Sequence, residues 1–129
     1  MMVPMIGFGQ CVSGDCENGY GFKITTVPNL LDGTDGKQLY YGNFVDGKRH
    51  GVGQLFYPDG SKYIGEFKDN HPDGYGTMIF LDLECVFSGN FKRGLMHGLV
   101  SYEQFDGKRV SLSYYEYGNE TKILYDKSK

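Results

Sequence analysis

Tryptophan is absent from this 129-residue chain, so 11 tyrosines and 9 phenylalanines carry every large aromatic contact. No apolar run approaches the roughly 18 residues that a membrane-spanning helix needs. Positive charge is not in excess: 13 Lys and Arg stand against 16 Asp and Glu, a formal net charge of −3. That balance argues against the broad basic face of a nucleic-acid binder. The pairs Lys48-Arg49, Lys92-Arg93 and Lys108-Arg109 lie near Asp46, Asp69, Asp73 and Asp106, and read as solvated turn residues.

Catalytic signatures are missing as well. There is no Gly-x-Ser-x-Gly, no phosphate loop and no His-Glu-x-x-His, so no catalytic residue and no cofactor is assigned. Cysteine is limited to Cys11, Cys16 and Cys85, without Cys-x-x-Cys or histidines at ligand spacing, which speaks against a metal site. The spacing of Cys11 and Cys16 around Gly14 is compatible with a hairpin disulfide; the alternative is three reduced thiols packed as small apolar side chains. An odd count fits a fully paired secreted framework poorly. Met1 to Gly9 is apolar but lacks a positive leader and a cleavage site of small residues. The expectation is a cytoplasmic protein, with the remnant of a trimmed secretory signal as the alternative.

What the chain has in abundance is glycine, 20 of 129, about twice the ordinary share. Much of it falls in register with the aromatics. Tyr40-x-Gly42-x-Phe44, Tyr63-x-Gly65-x-Phe67 and Phe87-x-Gly89-x-Phe91 follow one another at steps of 23 and 24 residues. Self-similarity at such a period marks a stack of supersecondary units. Alternation is widespread and helical spacing rare, so the chain reads as all-β.

Period two places Tyr40, Gly42 and Phe44 on one face of a strand, with Tyr41, Asn43 and Val45 on the other. Asp46-Gly47 turns the chain, His50-Gly51-Val52-Gly53 opens a return strand through Leu55 and Tyr57, and Pro58-Asp59-Gly60 turns again. The second unit runs Tyr63, Gly65, Phe67, Asp73-Gly74-Tyr75-Gly76, Met78, Phe80. Leu81-Asp82-Leu83-Glu84 replaces its second turn and predicts a longer, less regular loop. The third unit has Phe87, Gly89, Phe91 and His97-Gly98, with Val100 where Gly53 and Gly76 stood. A degenerate unit precedes these: Phe8-x-Gln10-x-Val12, then Asn18-Gly19-Tyr20-Gly21, then an inserted loop over 27–33, since Pro28 suits no central strand. After the third unit, Val110-x-Leu112-x-Tyr114 takes the first-strand place, Leu112 replaces the repeated glycine, and Thr121 to Tyr125 forms the last strand.

Glycine inside a strand usually marks a close approach by another group. Here the expected occupant is a ring from the neighbouring strand, and Leu112 would end that ladder. His50 and His97 share one repeat position, which suggests an imidazole bonding nearby backbone.

This pattern resembles the MORN repeat (membrane occupation and recognition nexus), close to Tyr-x-Gly-x-Phe/Trp-x-x-Gly-x-x-His-Gly-x-Gly. Residues 40 to 53 fit it at every position; the second unit departs at Asn70 and Asp73, the third at Phe87 and Val100. The resemblance implies a single-layer, elongated antiparallel sheet of stacked β-hairpins, forming a rod of about 40–50 Å. It implies one domain over 1–126: a degenerate repeat at 8–39, repeats at 40–62, 63–86 and 87–109, a C-terminal capping hairpin at 110–126, and a frayed tail at 127–129.

The function this suggests is a non-catalytic scaffold that binds a protein or peptide partner along the aromatic and glycine face. Tyr40, Phe44, Tyr63, Phe67, Phe87 and Phe91 are the candidate groove residues, with Tyr20, Tyr57, Tyr75 and Tyr102 as further candidates. The competing reading is that these rings only pack against each other. Alternatives are peripheral association with anionic phospholipid membranes and an accessory role to a separate enzyme; exposed end strands also allow self-association.

Overall fold

In a computed structural model of the chain, residues 9–29 and 32–128 are described. Ten strands follow: β1 (Gly9–Gly14), β2 (Gly19–Pro28), β3 (Asp35–Val45), β4 (Lys48–Phe56), β5 (Lys62–Lys68), β6 (His71–Phe80), β7 (Cys85–Lys92), β8 (Leu95–Gln104), β9 (Arg109–Glu116) and β10 (Asn119–Ser128). They form one open antiparallel sheet whose order in space is their order in sequence. The described residues contain no helix.

Four of the hairpins turn in two residues, both with positive φ: Asp46-Gly47 (52° and 77°), Asp69-Asn70 (48° and 78°), Arg93-Gly94 (52° and 84°) and Tyr117-Gly118 (46° and 88°). Those are the angles of a turn whose twist matches that of the strands it joins. Asn70 takes the glycine place in the second unit because asparagine tolerates the left-handed region.

Each turn then docks on the hairpin before it. Gly47, Asn70, Gly94 and Gly118 donate their N–H groups to the carbonyls of Glu17, Arg49, Pro72 and Met96, at 3.0, 3.0, 2.8 and 2.7 Å. The residue ahead of each turn glycine is held from a side chain in three units: Asp46 N–H donates to Asn18 Oδ1, Arg93 N–H to Asp73 Oδ2 and Tyr117 N–H to His97 Nδ1. The repeated histidine position therefore accepts a backbone hydrogen bond, and asparagine and aspartate serve there as well. His50 has no such bond; Arg49 N–H donates to Asn70 Oδ1 instead.

Several sequence expectations change. Of the stretch read as an inserted loop, Val27 and Pro28 belong to β2, with Pro28 pairing with Asp35 and closing the strand; the described residues Asn29, Asp32 and Gly33 lie in the connection to β3. The loop at Leu81–Glu84 is a four-residue turn closed by Glu84 N–H to Leu81 O at 3.2 Å, not a longer one, because the ladder runs on to Phe80 and Cys85. Of the tail read as frayed, Lys127 and Ser128 pair with Val110 and Arg109.

The last unit is shifted by one residue. Val100 pairs with Ser113, as Gly76 pairs with Gly89, so Ser111, Ser113 and Tyr115 face the core side and Leu112 the other. The turn over 105–108 has the same four-residue length as that over 81–84, so the last unit follows at a 24-residue step, and Leu112, at a step of 23, falls on the other face. Ser113 is 1% exposed and its Oγ has no hydrogen-bond partner. Ser113→Ala is expected to gain about 1 kcal/mol by removing an unsatisfied hydroxyl, seen as a higher urea midpoint with unchanged slope.

At the other end, Phe8 lies outside the described residues, and Val12 sits at a bulge, 51% exposed. Cys11 and Cys16 are joined in a disulfide, and Cys85 is a buried free thiol, so the reading of three reduced thiols does not hold. The Cys16 sulfur lies over Gly21, where later units place a tyrosine ring.

Candidate partner-binding site

The core side of the sheet carries a chain of rings. Phe44, Tyr40, Phe67, Tyr63 and Phe91 meet edge to face in that order, with centroids 5.0, 5.1, 5.1 and 5.1 Å apart. Such contacts each add about 0.5–1.5 kcal/mol beyond area burial. All five rings are at most 5% exposed.

Two glycines make room for each tyrosine. Gly42 pairs with Gly53, and Gly65 with Gly76. A methyl group on Gly42 would come within 2.5 Å of the Tyr40 hydroxyl, and one on Gly53 would strike the same ring. The ring over the first glycine thus belongs to its own strand, two residues back, and reaches across to the glycine of the next. The neighbouring-strand ring expected from sequence holds only for Gly53 and Gly76.

The hydroxyl has a task. Each first strand bulges at the residue before its phenylalanine, and the tyrosine takes the carbonyl there: Tyr40 Oη donates to Asn43 O at 2.9 Å, Tyr63 Oη to Glu66 O at 3.0 Å. Burial pushes the Tyr40 phenol up to about 12, and burial with the nearby Glu66 charge raises that of Tyr63.

In the third unit the pattern breaks. Phe87 has no hydroxyl for the matching bond, and Val100 occupies the glycine place opposite Gly89. The Phe87 ring, half-buried, lies instead against Phe80 and Tyr102, at 6.0 and 5.1 Å. An apolar hollow of about 240 Å³ opens beside it, lined chiefly by Met78, Phe80, Phe87, Phe91, Leu95 and Met96. The place opposite the ladder phenylalanine is held by Arg49, Pro72 and Met96 in successive units. Arg49 is tied down, its Nε and Nη2 donating to Asn70 O at 3.1 and 2.8 Å. Met96 has no such tether and leaves a flexible, polarisable wall.

Of the six candidate residues, Tyr40, Phe44, Tyr63 and Phe67 are consumed by contacts with one another, whereas Phe87 and Phe91 reach the hollow. Tyr57 and Tyr102 share that face; Tyr20 and Tyr75 point to the opposite one and are 63% and 59% exposed. A larger recess of about 560 Å³ beside the Pro58 turn has mixed walls, with Val27, Pro28 and Tyr57 beside Asn29, Gln38 and Asp59. Among the described residues, no three His, Cys, Asp or Glu stand together to hold a metal ion.

Residues 40–62, 63–82 and 87–99 match the MORN repeat family. These hairpins are MORN repeats. Among curated proteins the chain is similar to Alsin from Homo sapiens, 35% identical over 85 residues, covering 63% of this chain and 5% of Alsin. Mouse Alsin is 37% identical over 73 residues, 54% of this chain and 4% of the relative. The protein named "Inactive protein tyrosine kinase pTKL" from Plasmodium berghei (strain Anka) is 30% identical over 98 residues, 71% of this chain and 7% of that one. The chain thus spans less than a tenth of the length of these relatives. MORN repeats are associated with protein or membrane interaction and are generally non-catalytic.

Proposed function

We propose that the chain is a non-catalytic binding module that seats a bulky apolar side chain of a protein or peptide partner in the hollow of its third MORN repeat. The observation that carries this is the substitution of Phe87 and Val100 for tyrosine and glycine, which turns a filled rung into an open one. Phe87, Phe91, Leu95 and Met96 make the contact; Tyr40, Phe44, Tyr63 and Phe67 hold the frame rigid, which lowers the entropy cost of binding. Methionine and aromatic walls suit an apolar anchor. The net charge of −3 weighs against anionic membranes as the main partner.

Selection from a random peptide library on the immobilised protein tests this. Enriched peptides are expected to share one large apolar residue and to lose about tenfold in affinity on Leu95→Asp, with Glu66→Ala unaffected. Equal binding to the wild type and Leu95→Asp, both showing native melting curves, would overturn the assignment.

A further inference from the structure

The face opposite the ladder carries a second periodic feature. The residue between the paired glycines of each return strand (or between glycine and Val100 in the third repeat) is apolar and points outward: Tyr20, Val52, Tyr75 and Leu99, exposed to 63, 60, 59 and 38%. Paired with them across the ladder are Asn43, Glu66, Asn90 and Tyr114. A line drawn across the strands thus alternates apolar and mostly polar side chains. Neither turn geometry nor the ring ladder uses this row, and leaving large apolar side chains in water at the same place in four units costs the fold burial energy at each.

Its spacing selects an occupant. Apolar residues recur every second strand, about 9.6 Å apart at the usual strand separation. A polyproline II helix brings every third residue to the same side after about 9.3 Å. An α-helix repeats its face after seven residues, about 10.5 Å, and slips by about 1 Å at each rung. An extended strand repeats at about 6.7 Å and misses alternate rungs. Polyproline II also leaves its own backbone groups unpaired, so it gains from donors between the apolar rungs. Asn43 and Asn90 stand there; Asn43 spends one of its two N–H groups on Val52 O at 3.4 Å. An α-helix needs no such donors and would strip water from both amides without replacing it. Glu66, midway along the row, offers a carboxylate to one basic residue.

We infer that this face takes a proline-rich segment of a partner protein in the polyproline II conformation, with apolar residues at every third position against Val52, Tyr75 and Leu99 and a Lys or Arg toward Glu66. This surface is separate from the hollow, and the row positions are exposed, so substitutions there leave the fold intact. The test is fluorescence anisotropy with a labelled 12-residue peptide of Pro-Pro-Leu repeats carrying one central Arg. A labelled amphipathic helix with leucines seven residues apart serves as comparator. Saturable binding of the first peptide is expected, weakened about tenfold by Tyr75→Ser, made less salt-sensitive by Glu66→Gln, and unchanged by Leu95→Asp. Tighter binding of the helical peptide, no saturation at millimolar protein, or equal affinity of a natively melting Tyr75→Ser variant would overturn the inference. So would a loss on Leu95→Asp alone, or a sedimentation dimer that Tyr75→Ser dissociates, which would assign the row to a second copy of the chain.

Discussion

Tyr63→Ala is expected to cost about 3–5 kcal/mol, against a total of about 5–15 kcal/mol for an ordinary domain. The ring has no exposed surface and touches both Phe67 and Phe91, so its removal cuts Phe91 from the rest of the ladder. Tyr63→Phe separates ring from hydroxyl. It keeps both edge contacts and loses only the bond to Glu66 O, about 1 kcal/mol at neutral pH. In alkali the order reverses. The folded phenol is raised above its unfolded value, so its contribution is complete below about pH 10 and falls by about 1.4 kcal/mol per pH unit above it. The wild type and Tyr63→Phe are therefore expected to cross near pH 11, with the phenylalanine variant the more stable beyond. Urea unfolding curves from pH 7 to 12 read this directly; parallel loss in both proteins across the alkaline range would show that ionisation of Tyr63 is not what destabilises the fold. Tyr40 has the same contacts and a phenol raised to about 12, and follows the same course.

Gly76→Ala carries the second large effect, about 2–3 kcal/mol. Its backbone angle is one that alanine accepts, so the penalty is steric: a methyl group would run into the Tyr63 ring, 2.5 Å from Cε1. In a Tyr63→Ala background the same substitution meets empty space, so the two losses are expected to be less than additive. Full additivity in the double-mutant cycle would mean that ring and glycine do not share the rung. The third repeat already shows how the clash is relieved. With Val100 in the place of Gly76, the aromatic at position 87 turns away toward Phe80 and Tyr102.

Much of this architecture was legible in the spacing of Tyr40, Gly42 and Phe44 and their two echoes, because period two and turn chemistry are local. Phe87 and Val100 were visible as departures, and Phe87 lines the hollow; treating Phe87 as equivalent to a tyrosine hid the consequence, since the hydroxyl's partner is a bulge carbonyl that pairing alone reveals. The frame of the last unit was missed for a related reason. Steps of 23 and 24 both occur in the repeats and place opposite faces inward, so Leu112 and Ser113 are each plausible neighbours of a ring until the register is known. The strand reaching Pro28 was obscured because the proline closes its strand instead of lying inside it. The apolar row at Tyr20, Val52, Tyr75 and Leu99 sat at an unspecified position of the repeat, where a family pattern gives no instruction.

Every strand in the described sheet pairs only with those beside it in sequence. Nothing in such an order counts the units. A barrel must close on a set number of strands, whereas here a duplicated cassette of 23 or 24 residues brings its own glycine floor, tyrosine and docking turn, and asks of its neighbours only what they already provide. The reach of the molecule is therefore an adjustable quantity, set by gene copying and not by folding, and a binding row laid across the strands grows in step with it.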